Sequence, residues 1–409
     1  MAADGPAPPA GTGPTPVKIR EVTGDERLTT SFPLQSYAFG PSSAPPTDEE
    51  LRPALPYHEG NRTMVVQDAG VTVAAASAIP MWQNLRGRVL DVAGVAWVVT
   101  HPLARRRGHS RDLLHHLLGE MRQQGHVASA LYPFRSSFYA RFGYLNLPKP
   151  RTVTFRPEDC APLLKADLPG DITWRPFADG YDDYRLFQRR LLDRRHGFAM
   201  PPEHQSAAAR DAGDRWLATA RIDGEVVGMV TYRIDGQGGR LRADDLLTVD
   251  AFGRALLLRF FALHVDQVSE VVLTVAADEA PELWLSDLTA RVETVISFPS
   301  APPPMARLLS VEGLRGVEAG PGRVGVEVVD DPFMAGRYRL DGAGGRLVVE
   351  PGAKRVSAVL TAAGLSGLVY GVLDPVDVLA RGLGTFADDA VAQLRSLFPR
   401  AVPCVFPPR

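Results

Sequence analysis

The 409-residue sequence has little lysine: Lys18, Lys149, Lys165 and Lys354 are the only four, and arginine supplies the rest of its 45 basic side chains. That bias fits genome composition better than a function. Cysteine is equally sparse. Cys160 and Cys404 are far apart and neither belongs to a C-x-x-C pair, which argues against a disulfide framework or zinc site and fits a reducing cytoplasm. No apolar run approaches the roughly 18 residues that a membrane span needs. An excess of either charge is also lacking. A net charge of −2 offers no bulk attraction for nucleic acid or an anionic membrane. The opening "MAADGPAPPAGTGPTP" has neither a basic start nor an apolar h-region, so residues 1–16 read as a disordered leader, not a signal peptide. What remains is ordinary globular material: 45% apolar residues and a length that asks for two to three domains.

From residue 63, "TMVVQDAGVTVAAASAIPMWQNLRGRVLDVAGVAWVVTHP" reads as successive strands, with turn signals at Asp68-Ala69-Gly70 and Leu85-Arg86-Gly87. A helix is expected from about Arg107 to Gln124, stopped by Gly125. Leu113, Leu114, Leu117, Leu118 and Met121 form its core-facing stripe. "VASALYP" follows as a strand, and "SSFYARFGYLN" closes the unit. From near Asp171 the order of hairpin, strand, helix and strand recurs: "IDGEVVGMVTY" answers "QDAGVTVAAAS", and "RADDLLTVDAFGRALLLRFF" stands where the arginine-rich segment stood. The second copy lacks the arginines. After "FPSAPPPMA", the strands "VGVEVVD", "GRYRLD" and "GRLVVE" precede helical "DPVDVLARGL" and "DDAVAQLRSLF", an α+β pattern. The proline-stiffened tail "LFPRAVPCVFPPR" reads as docked.

The chemistry concentrates at "VVTHPLARRRGHSRDLL". A strand running straight into a helix leaves the first helical amides unpaired and adds about half a positive charge there. Gly108 permits close approach to the backbone, and Arg105, Arg106 and Arg107 add full charges. Basic residues oppose the dipole at a helix start, so without an anion the arrangement would cost stability. A pyrophosphate would satisfy all of it.

Arg105-Arg106-Arg107-Gly108-His109-Ser110 resembles the acetyl-coenzyme A motif R/Q-x-x-G-x-G/A of GNAT N-acetyltransferases, with serine in the last small position. "ALYPFRSSFYARFGY" resembles the Y-x-R-F-G-Y segment of one branch, the enhanced intracellular survival (Eis) acetyltransferases. The resemblance implies an α+β/α/β chain of tandem GNAT domains, the second degenerate, followed by a sterol-carrier-protein-like α+β domain. The boundaries it suggests are 17–160 for the acetyl-CoA-binding domain, 161–298 for the degenerate copy and 299–409 for the last. It implies a cytoplasmic, hexameric enzyme that moves an acetyl group from acetyl-CoA to an amine of a small molecule, aminoglycoside-like or other. Val98 and Thr100 would offer backbone to the pantetheine arm. Arg105, Arg106, Arg107, Gly108, His109 and Ser110 would hold the pyrophosphate.

The same resemblance makes Tyr139 the proton donor to the leaving thiolate and the α-carboxylate of Arg409 the base. A phenol suits the first role because its pKa lies only slightly above a thiol's. Tyr37, Phe39 and Trp97 fall at the substrate pocket. Phe39 and Pro408 stand where the branch has carboxylates, so drug modification is not implied, although Asp25, Asp48, Glu49 and Glu50 could supply acidity from a loop. Other readings stay open: Tyr139 as a core aromatic, Trp97 as a core residue, His101 and His109 as cofactor contacts or exposed polar groups. His115 and His116 are adjacent on a helix and point to different faces, so no metal is expected. The alternatives for the whole chain are acylation of a peptide or protein amine, use of a longer acyl-CoA, or a non-catalytic acyl-CoA-binding scaffold.

Overall fold

A computed structural model describes residues 17–40, 44–387 and 389–405. Contacts divide the chain into two units, Met1–Ile79 with Val95–Glu120, and Pro80–Gly94 with Met121–Arg409.

In the first unit, strand β1 (Lys18–Val22) pairs antiparallel with β2 (Arg62–Asp68), and β2 with the first part of β3 (Val71–Leu85). Alternating side chains of these strands, with Leu34 and Val99, build a small core of Val22, Val65 and Ala75. Helix α1 (Glu26–Thr29) buries Arg27, whose guanidinium donates to the Asn61 carbonyl at 2.8 Å. Helix α2 (Ser31–Phe39) and the short α3 (Asp48–Leu51) follow. Strand β4 (Arg88–Thr100) leads through a turn into α4 (His109–Gln123). The leucine stripe is where its spacing puts it: Leu113, Leu114, Leu117 and Leu118 are all buried.

In the second unit, β5 (Ala128–Leu131) runs parallel to β4 for only three pairs, Val92↔Ala128 to Gly94↔Ala130. Helix α5 (Ser136–Ala140) and β6 (Leu145–Asn146) follow. A seven-stranded sheet comes next. Its members are β7 (Arg151–Phe155), β8 (Asp171–Pro176), β10 (Trp216–Ile222), β11 (Glu225–Ile234), β12 (Arg240–Thr248), β13 (Glu270–Val275) and β14 (Ala290–Glu293), in the order β14-β7-β13-β12-β11-β10-β8. The two-residue β9 (Ala199–Met200) pairs instead with Trp82 and Gln83 of β3. Helices α6 (Tyr181–Leu192), α7 (Glu203–Asp211) and α8 (Ala251–Ala262) belong to the same region.

Strand β15 (Met305–Leu308) inserts between β5 and β6. A five-stranded sheet then forms from β16 (Arg323–Val329), β17 (Gly336–Asp341), β18 (Val348–Pro351), β19 (Ala358–Thr361) and β20 (Gly384–Phe386), with helices α9 (Ala362–Val369), α10 (Pro375–Ala380) and α11 (Ala390–Leu397). Its buried face shares one core with Val92, Leu145 and Leu308.

Two strands cross the residue boundaries read from sequence. Strand β7, before position 160, pairs with β13 and β14 because Val153 and Phe155 bury in the second copy's core. Strand β15, after position 299, returns to β5 because Ala306 and Leu308 fill the core beside it.

Candidate active site

The turn after β4 is conformationally unusual. Arg106 and Gly108 take left-handed backbone conformations, with φ of +65° and +90°, of the kind found in turns that bind anions through backbone amides. The backbone N–H groups of Arg106, Arg107, Gly108, His109 and Ser110 find no acceptor among the described residues; the first helical bonds run from Arg111 and Asp112 to the Gly108 carbonyl. Arg105, Arg106 and Arg107 are exposed and make no ion pair among the described residues, in a protein whose other arginines are mostly paired with carboxylates. A Cβ at Gly108 would come within 3.2 Å of the Arg111 guanidinium. Three bare cations and five bare amides at one helix start are unfavourable alone and fit a doubly anionic group.

Upstream, the Thr100 and Ser110 hydroxyls bond each other and tie the strand end to the helix start. The His101 ring accepts from the Leu103 amide at 3.3 Å, so it serves the turn. His109 is buried, and its Nε2 has no partner among the described residues. Val98 is half-buried on the strand.

Just before it, Trp97 has φ +56°, a left-handed conformation that is an outlier for a bulky residue and marks a site where geometry is imposed. Trp97 packs edge-on against Phe39, with centroids 5.5 Å apart, and against His58 at 5.7 Å. Its buried Nε1 has no hydrogen-bond partner among the described residues. Of the expected pocket residues, the structure therefore brings Phe39 and Trp97 together. Tyr37 is 59% exposed and joins no ring contact among the described residues. Of Asp25, Asp48, Glu49 and Glu50, the first pairs with Arg52 at 2.7 Å and the last completes a capping box with Thr47 at the start of α3, while Asp48 and Glu49 are exposed and make no ion pair among the described residues. His115 and His116 are both exposed.

In the second unit, Tyr139 lies on α5, 3% exposed, with its ring against Phe134, Phe138 and Tyr144. Burial, reinforced by Tyr144, raises its pKa well above a phenol's ordinary value, so it is a weaker acid than an exposed tyrosine and keeps its proton at every physiological pH. Tyr144 is pushed up to about 12 by burial. The two hydroxyls differ in one respect. Tyr144 is bonded to Ser129 Oγ at 2.6 Å, while the Tyr139 hydroxyl has no hydrogen-bond partner among the described residues. A core tyrosine normally finds one.

The turn after Tyr139 is clamped. Gly143, at φ +78°, leaves no room for a Cβ, which would lie 2.9 Å from Ala362 Cβ. Arg307 of β15, 1% exposed, donates to the Phe142 carbonyl, to the Leu308 carbonyl at 2.9 Å and to Asp331 at 2.6 Å. Sequence reading missed this buried pair, since an arginine in "PMARLL" looks like a surface break in an apolar run.

The last described residues are docked. The Cys404 amide bonds the His196 carbonyl at 2.7 Å, and Cys404 and Val405 are buried. Pro408 and Arg409 lie outside the described residues.

Residues 18–146 match one acetyltransferase (GNAT) domain model and residues 192–308 match another; together they span more than half the chain. The chain belongs to the GNAT acetyltransferases. It is a tandem-GNAT transferase with mixed sheets, Eis-like in fold. It superposes on Eis1 from Mycobacterium abscessus with a TM-score of 0.78 at 18% identity, covering 96% of this chain and 100% of that one. A GCN5-related N-acetyltransferase from Kribbella flavida gives 0.78 at 22%, covering 95% and 97%. One from Anabaena variabilis gives 0.79 at 18%, covering 95% and 98%. No curated protein matches the sequence.

Proposed function

We propose that the protein transfers an acetyl group from acetyl-CoA to a primary amine of a small molecule. The observation that carries this reading is the α4 start, where five amides without acceptors meet three arginines without counter-ions among the described residues. Arg105, Arg106, Arg107, Gly108, His109 and Ser110 hold the pyrophosphate. The Val98 and Thr100 backbone aligns the pantetheine arm beside the strained Trp97. Acetyl-CoA supplies a thioester carbonyl for attack.

An alkyl ammonium must lose its proton before it can attack, which at pH 7 costs on the order of 4 kcal/mol. The α-carboxylate of Arg409 is the acceptor of that proton, and Tyr139 gives its own to the departing thiolate. The raised pKa of Tyr139 suits a donor facing an equally desolvated thiolate, whose basicity rises for the same reason. Phe39 and Trp97 offer an apolar wall. This favours an amine with an apolar body. The 299–409 region acts as a sterol-carrier-protein-like domain, and the enzyme assembles as a cytoplasmic hexamer.

The test is release of free coenzyme A thiol with a panel of amines, alongside calorimetry with coenzyme A. Gly108→Leu abolishes binding. Tyr139→Phe binds normally but turns over 10²–10⁴-fold more slowly, and extension beyond Arg409 lowers turnover. Binding with no amine turned over would instead mark an acyl-CoA-binding scaffold.

A further inference from the structure

The second GNAT copy contains a cavity that the proposed transfer does not use. It measures about 70 Å³ and opens between α6, α7 and the middle of its sheet. A single water needs roughly 10–15 Å³, so there is room for a head group of several heavy atoms. Its lining combines the apolar rings of Phe177 and Phe198 with the polar groups of Tyr184, Arg215, Asp244 and Asp245.

The sheet explains why carboxylates stand there. Strands β12 and β13 pair in parallel from Arg240↔Glu270 to Ala243↔Leu273 and then part. Asp244 is the extra residue of a bulge, since Thr231 faces Asp245 while Tyr232 faces Ala243. The two aspartates begin where the strands separate, and the bulge turns both toward the opening.

Their charges are not equally balanced. Asp244 has Arg215 Nε at 3.1 Å and Arg233 at 3.8 Å. Asp245 receives only neutral donors: the Thr231 amide at 3.2 Å, the Thr231 hydroxyl at 3.0 Å and the Tyr184 hydroxyl. No cation lies within 4 Å of it among the described residues. Arg185, also on α6, spends its guanidinium on Gln188 Oε1 at 3.3 Å and the Pro201 carbonyl at 2.8 Å. Oδ2 of Asp245, with one donor, has a lone pair left. Burial raises the Asp245 pKa, as expected of a carboxylate lacking its counter-charge.

We propose that this cavity binds the head group of a small organic cation, an ammonium or guanidinium on a short aliphatic stem, with Asp245 as its counter-charge and Phe177 and Phe198 against its faces. The site is independent of the transfer reaction proposed above. The mixed lining gives both halves of such recognition: a planar cation accepts aromatic contact on its faces and a carboxylate at its edge.

The experiment is titration of the full-length protein with methylguanidinium chloride at constant ionic strength, followed by calorimetry and nuclear magnetic resonance. Methylurea, its uncharged isostere, is the comparator. A saturable, roughly millimolar association is expected for so few atoms, with methylurea at least ten-fold weaker. Asp245→Asn should weaken methylguanidinium binding at least ten-fold. Ala209→Phe, which fills the cavity from α7 without touching Asp245, should abolish it. If Asp245→Asn does not fold, Ala209→Phe and the isostere decide. Absence of saturation in the wild type, equal binding of methylurea, or unchanged binding by a folded Ala209→Phe variant overturns the proposal.

Discussion

The two GNAT copies solve the same strand-to-helix turn in opposite ways. In the first, β4 enters α4 through Arg105–Ser110, where the amides from Arg106 to Ser110 and the three arginine side chains have no partners among the described residues. In the second, β12 enters α8 through Asp250, whose own carboxylate accepts from the Gly253 amide at 2.9 Å. Gly253 also lies so close to the Val227 carbonyl that a Cβ would meet it at 2.3 Å, which closes α8 down onto β11. The arginine in its first turn, Arg254, is paired with Glu279 at 3.2 Å. A helix start that caps itself needs no ligand; one left uncapped and surrounded by cations does. The fold is shared, and a single side chain at the N-cap together with three arginines separates the two turns.

The copies differ further downstream, and the largest effect is expected there. The first copy follows β5 with the Tyr139 turn clamped by Arg307 and Asp331. Arg307→Met leaves the Asp331 carboxylate buried without its cation, a loss of about 3–5 kcal/mol readable by denaturant unfolding. Pairing it with Asp331→Asn, which removes the charge but keeps an acceptor for the Phe333 and Met334 amides, should recover much of that loss, because the cost comes from the orphaned charge. If the double variant is no better than the single one, the pair does not act as a unit.

Next in size is the arginine turn itself. Replacing Arg105, Arg106 and Arg107 together by glutamine should weaken coenzyme A binding about 100-fold or more, at roughly 1 kcal/mol for each solvent-screened charge, and flatten its salt dependence. The ligand-free protein should meanwhile be unchanged or slightly more stable, because three cations opposing the α4 dipole are gone. Opposite signs in binding and stability are what an anion seat demands. A parallel loss in both would make the arginines structural.

Much of this contrast could be read in the sequence. The leucine stripe, the turn glycine and the absence of arginines in the second copy are local patterns, and each lies where its spacing puts it. Long-range pairings were not legible. Nothing in "RTVTF" or "MARLL" says which sheet each strand joins, since both are short apolar strands whose partner is chosen by core filling. Helix α9 escaped for a different reason: all eight residues of "AAGLSGLV" are buried, so there is no polar face and no 3.6-residue rhythm to detect. Trp97 was undecided between pocket and core because a left-handed backbone at a tryptophan leaves no mark in composition. The unequal satisfaction of Tyr139 and Tyr144 depends on Ser129, which is close in space and remote in pattern.

Removing the cap from the second copy has a smaller effect. Asp250→Ala should lower stability by about 1 kcal/mol and create no coenzyme A binding, because the arginines are missing. Asp374, which caps α10 and is forked by Arg395 at 2.7 and 2.8 Å, measures what the charge adds when a helix supplies its own cap. The Arg395 fork first, then the Val376 amide, depresses its pKa to about 2 against the opposing effect of burial. The folded-state value therefore lies below the unfolded one of about 4. The stabilisation is fully present above pH 4 and is lost as pH falls through about 2. Asp374→Asn keeps the cap and removes the charge, so it should cost under about 1 kcal/mol at neutral pH, as for a solvent-screened pair. The gap between wild type and variant should shrink as pH falls from 4 to 2. A gap that does not change over that range would mean that only the cap, and not the ion pair, stabilises the helix.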